Sequence, residues 1–117
     1  MVIMSDEIKA YILDFCEYDL EPLHLLLSAV IERQLCASAN SVIPELLVLV
    51  QDKFLECYHH STRDGEEYHK IDNIKETDLA EYIRCHETEG FKDYPSPEQG
   101  GEYFFKTTTA GCQLIEY

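Results

Sequence analysis

The sequence predicts an α+β domain, with three N-terminal helices followed by a small antiparallel sheet that carries a helical insertion. Three observations carry this. Apolar residues recur at helical spacing from Ile8 to Phe54, the period changes to alternation at Leu55, and an aromatic run at Tyr103–Thr107 supplies a late strand. A chain of 117 residues has the size of one ordinary domain. No second composition regime divides it, so residues 1–117 are read as one domain.

In the first helix Ile8, Tyr11, Ile12, Phe15 and Cys16 form one apolar stripe, with Ser5 as the expected N-cap and Asp6 and Glu7 in the first turn. The second follows almost without a linker. Asp19 or Glu21 is its expected cap, Pro22 suits its first turn, and Leu23, Leu26, Leu27, Val30 and Ile31 repeat the stripe until it fades near Cys36. The third is expected to start at Asn40 or Ser41, tolerate Pro44 and run to about Lys53. Ile43, Leu46, Leu47, Val50 and Phe54 form its stripe. Val42, Val48 and Leu49 lie off that stripe, so this helix is apolar nearly all round and needs cover on more than one side.

From Leu55 to His60 the residues alternate as in a strand, and the Asp64-Gly65 pair favours a tight turn before a return strand over Glu67–Ile71. Asn73 and Glu76 have the spacing of a capping box, opening a helix with Leu79, Tyr82, Ile83 and His86 on one face. Residues 87–101 are polar and rich in Gly and Pro, as in a loop. Tyr103–Thr107 forms the third strand, and Thr108 or Thr109 caps a short terminal turn.

Helix three running straight into Lys53-Phe54-Leu55-Glu56-Cys57-Tyr58, and Tyr103-Phe104-Phe105-Lys106-Thr107 running into a Thr-x-x-Gly turn ending at Gly111, give the order of a winged helix. The layout resembles small winged-helix-like proteins of bacteria and their mobile elements. That resemblance implies a wing at the hairpin and a recognition-helix equivalent at Val42–Lys53. The chain departs from the family where DNA is concerned. Val42–Lys53 offers Glu45 and Asp52 against one cation, Lys53, whereas a helix that reads the major groove carries Arg, Lys, Asn or Gln. From Asp72 to Glu102 there are nine acids against three bases.

The whole chain holds 9 Lys and Arg against 23 Asp and Glu, a net charge of −14. Such a body repels nucleic acid and anionic lipid and attracts basic proteins. Cys16, Cys36, Cys57, Cys85 and Cys112 are odd in number and scattered, unlike a secreted disulfide framework. Together with the absence of a leader pattern or a membrane-length apolar stretch, this gives a cytoplasmic expectation.

Cys57, His59, His60 and His69, with Cys85 and His86 downstream, are the best metal candidates, but they lack the paired spacing of a zinc site. Cys85 and His86 are adjacent, which points their side chains apart on a helix, and no P-loop, nucleophile elbow or dinucleotide fingerprint occurs. No catalytic residue, metal or cofactor is therefore expected. The expectation is a non-catalytic acidic interaction module binding a basic protein as an inhibitor, immunity-type partner or charge mimic. The alternative is a winged-helix regulator of transcription. The candidate interface is Val48, Leu49, Tyr58, Tyr68, Glu66, Glu67 and Tyr94. A homodimer is expected, on the argument that one sheet face cannot cover both Val48 and Leu49.

Overall fold

A computed structural model describes residues 7–36, 38–60, 68–86 and 101–115. Helix α1 (Glu7–Phe15) buries Ile12 and Leu13 completely, and Cys16 just beyond it is buried with them. Ser5 and Asp6 lie outside the described residues. The two-residue strand β1 (Glu21–Pro22) leads directly into α2 (Leu23–Glu32). Pro22 itself occupies the N-cap of α2 with no side-chain capping bond, while the carboxylate of Asp19 accepts the N–H of Leu20. The two acids expected to cap this helix therefore do not. Leu23, Leu26, Leu27 and Val30 are buried, but Ile31 turns to solvent.

A 3-10 turn (Ala39–Val42) precedes α3 (Ile43–Gln51), which is thus shorter at both ends than its sequence pattern suggests. Helices α2 and α3 stop in the same way. Gln34 (φ 59°) and Lys53 (φ 64°) take the left-handed conformation. The N–H groups of Gln34 and Leu35 return to Ile31 and Val30, and those of Lys53 and Phe54 to Val50 and Leu49. Both are Schellman motifs, each followed by an apolar residue, Leu35 or Phe54, that packs against the core. Neither position holds glycine, the residue that usually marks such a stop.

Leu49 is 1% exposed, and this overturns its expected place at an interface. Helix α1, the inserted helix α4 (Glu76–His86) and the strand that follows α3 all pack on α3, so it is covered on more than one side within the chain. On α4, Leu79, Tyr82, Ile83 and His86 are all buried, as the sequence spacing predicts. Its cap lies two residues later than the Asn73–Glu76 box. The side chain of Asp78 accepts the N–H of Lys75 at 3.1 Å, and the Lys75 carbonyl accepts the N–H of Asp78 at 3.0 Å.

The sheet is antiparallel with strand order β1-β4-β2-β3, where β2 is Leu55–His60, β3 is His69–Ile71 and β4 is Glu102–Thr107. The expected strands before and after the hairpin are therefore present, with the return strand starting later. The turn at Asp64-Gly65 lies outside the described residues. Leu55, Cys57 and Phe105 are buried against the helices. The alternate positions Glu56, Tyr58, His60, Phe104 and Lys106 lie on the opposite face of the pleat.

A last helix, α5 (Thr109–Ile115), is capped by Thr108, as one of the two expected residues. Its hydroxyl accepts the N–H of Gly111 at 3.1 Å and donates to the Lys53 carbonyl at 2.8 Å. A Cβ on Gly111 would lie 2.2 Å from the Phe54 carbonyl oxygen, so only glycine lets α5 approach the α3–β2 junction. Gly111→Ala should cost about 1–3 kcal/mol. Urea unfolding of the pair checks this, with a lower midpoint and an unchanged slope expected.

Candidate protein interface

The register of the sheet brings two of the sequence-flagged tyrosines to one place. Tyr58 on β2 pairs across to Lys70 on β3 and to Phe104 on β4, and Tyr68 sits just before β3. Tyr68 is 46% exposed, yet its ring is not loose. It lies 4.9 Å from the His60 ring and meets Phe104 edge-on at 5.0 Å. Phe104 is buried without belonging to the main core, so these rings form an aromatic patch of their own on the sheet face turned from the helices. Glu56 organises the neighbouring positions. Its carboxylate accepts from the Tyr58 hydroxyl at 3.3 Å and pairs with the Lys70 ammonium at 3.1 Å. Partial burial, followed by the Glu56 charge, holds the Tyr58 phenol above its usual range.

Val48 is 40% exposed but lies on α3, outside this strand face. The exposed positions of the α3 segment are Ser41, Pro44, Val48, Gln51, Asp52 and Lys53. Glu66, Glu67 and Tyr94 lie outside the described residues.

The Cys–His candidates do not converge. Among the described residues no three His, Cys, Asp or Glu side chains gather around a point that could hold a metal ion. Cys57 is fully buried, and its thiol is pushed up to about 12 by burial and then by the charge of Asp78, so it stays protonated. His59 and His69 are paired across β2 and β3. The His59 ring, however, packs at 5.0 Å on Tyr103. The Cys85 sulfur is directed to Glu81, while His86 is buried and donates from Nδ1 to the Tyr82 carbonyl at 2.7 Å.

Compared with family models, with curated proteins and with solved structures, the chain matches none. What it does is therefore argued from its own surface and interior.

Two features escaped the sequence reading. The first is Tyr18, which is 87% exposed between Glu17 and Asp19 in the turn from α1 to β1. The available signal was an aromatic residue on neither helical stripe with an acid on each side. The second is a buried polar centre. Glu102 is fully buried, and its carboxylate meets His24 Nδ1 at 2.6 Å, the Tyr82 hydroxyl at 2.9 Å and the Tyr103 N–H at 2.8 Å. It ties α2, α4 and β4 together. A carboxylate at the end of an acid-rich segment gave no cue that it would be buried.

Burial raises the Glu102 carboxyl above its usual range, against the smaller opposing effects of its hydrogen bonds to His24 and Tyr82. A raised folded-state pKa means the native protein holds this proton more tightly than the unfolded chain. The resulting stability is complete below the unfolded value of about 4.3 and is lost as pH rises through the folded value. Glu102→Gln removes this titration. Urea unfolding followed from about pH 8 down towards the unfolded value of about 4.3 should therefore show wild type gaining on the variant as pH falls. A stability gap that stays constant with pH contradicts the assignment.

Proposed function

We propose that this chain is a non-catalytic protein-binding module. Its acidic body attracts a basic protein, and the aromatic face of the β2–β3 strands supplies the contact. One observation carries the proposal: Tyr68, half exposed and propped by His60 and Phe104, on a chain of net charge −14. A rigid, amphipathic ring held out from a strand gives contact area at little entropic cost, and the surrounding negative field steers a cationic partner onto it. An inhibitor, an immunity-type partner and a mimic of nucleic-acid charge all work in this way. The five free cysteines suit a reducing compartment.

The order of elements supports a winged-helix-like reading of the fold. Strand β1 lies between α1 and α2, α3 leads into β2, and β4 pairs with both strands. On that reading, β3 and α4 extend the usual plan. The family's regulatory role on DNA is the rival function. It is disfavoured by the helix in the recognition position, where Val48 and Pro44 are exposed and Lys53 is the cation at the end. The burial of Leu49 also removes the α3 argument for a homodimer.

Affinity capture on the purified protein, followed by reconstitution with the purified partner, tests the proposal. A partner of basic charge should lose at least about tenfold in affinity to Tyr68→Ala, the behaviour of an interface anchor. Duplex DNA titrated at low salt should not bind. Tight duplex binding with a steep salt dependence reverses the order of the two functions.

A further inference from the structure

Two adjoining hollows open between α3, the β2–β3 strands and the segment leading to α4. The first, about 170 Å³, has Leu55 and Ile71 in its wall, and the second, about 340 Å³, has Leu47 and Ile74. Val50 and Asp72 belong to both, which makes them one groove, mainly polar at the strand end and mainly apolar towards Leu47 and Ile74. Its rim carries Lys53 and Lys70 at one end and Lys75 at the other. Those are three of the nine cations in the chain, so in a strongly acidic molecule this groove is the place suited to an acidic knob. Lys70 already pairs with Glu56, which leaves Lys53 and Lys75 set against Asp72.

The same molecule carries such a knob. Tyr18, the most exposed large apolar side chain described, stands between Glu17 and Asp19. It projects from the turn before β1, at the far edge of the sheet from β3, so it is not itself a wall of the groove. Sequestering a tyrosine of this kind buries about 150–250 Å² of side chain. The acids on either side of it face the charge of opposite sign that the groove offers.

We propose that two copies of the chain associate through these surfaces, with Tyr18 of each seated in the lysine-rimmed groove of the other. Such a contact is self-complementary about a two-fold axis and closes at a dimer. The groove shares Glu56 and Lys70 with the strand face assigned to the basic partner, but Tyr18 belongs to this contact and Tyr68 to the other, so Tyr18→Ala and Tyr68→Ala test the two proposals separately. The contact is small, and two bodies of net charge −14 repel each other at long range. Dimerisation is thus weak and has an unusual salt response. Raising ionic strength from about 0.01 M to about 0.15 M shortens the screening length from about 30 Å to about 8 Å. That removes the repulsion between whole molecules more than the acid–lysine contacts at the groove, so association should strengthen.

Sedimentation equilibrium of the full chain, from about 10 μM to about 1 mM at both ionic strengths, reads the outcome. The weight-average mass should climb from 13.6 kDa towards twice that value, more so at the higher ionic strength. Tyr18→Ala, which leaves the charge unchanged, should weaken association at least about tenfold. Glu17→Lys with Asp19→Lys should weaken it too, as should Lys53→Glu with Lys75→Glu. The combined fourfold variant, which restores the original net charge, should recover it. Charge reversals at the exposed Glu7 on α1 and Glu32 on α2, neither of which lines the groove, control for net charge, and circular dichroism confirms that each variant is folded. A mass fixed at 13.6 kDa throughout overturns the proposal. So does a dimer indifferent to Tyr18→Ala, or a fourfold variant that fails to recover association.

Discussion

Strand β4 fastens the structure together. It runs between β1 and β2 and bonds to both, so the sheet exists as a sheet only because of it. At one end Thr107 donates its N–H to the Cys16 carbonyl and its hydroxyl to the Leu13 carbonyl, pinning α1. Thr108, immediately after, holds the α3–β2 junction through Phe54 and Lys53. At the other end Glu102 gathers α2 and α4 through His24 and Tyr82. Between the two, Phe105 is fully buried among the helices. Apolar area gives the fold most of its driving force, but these directed bonds give the elements one arrangement.

Regular periodicity made much of this legible in the sequence. The stripes of α1, α2 and α4, the alternation of β2, the aromatic β4 and the Thr108 cap follow from local rules that the tertiary structure does not override. The parts that were not legible share a physical cause. The ends of α2 and α3 depend on left-handed Gln34 and Lys53, residues that do not advertise that conformation. Leu49 was misplaced because the cover of α3 comes from several elements at once, α4 among them, some thirty residues later in the chain and invisible to any local window. The burial of Glu102 was not legible because a carboxylate is usually exposed, and only the convergence of three partners makes it tolerable. Of the candidate interface, Tyr58 and Tyr68 came together through strand register, which a sequence specifies once both strands are known. Tyr18 belongs to no periodic element and left no such trace.

Charge and aromaticity divide the surface between them. The acids set the long-range field and so decide which partners approach, while rings such as Tyr68 and Tyr18 decide where contact is made. The rings differ in support. Tyr68 is braced by two neighbours, whereas Tyr18 stands almost clear of the body. A braced ring costs little entropy to bind, and an unbraced one gains its energy only when a partner encloses it.

The position of β4 also has a kinetic consequence. Its partner β2 begins at residue 55 and β4 ends at residue 107, so about fifty residues separate the two halves of the central ladder. On a ribosome adding roughly 5–20 residues per second, the helices and β2 wait about 3–10 s before the strand that closes the sheet is made. During that interval β1 and β2 present open edges and the inner faces of α1 and α2 lack their cover. The nascent chain is therefore most exposed to aggregation and to chaperone capture just before β4 is made, and a shortened translation product ending before β4 would inherit that state permanently.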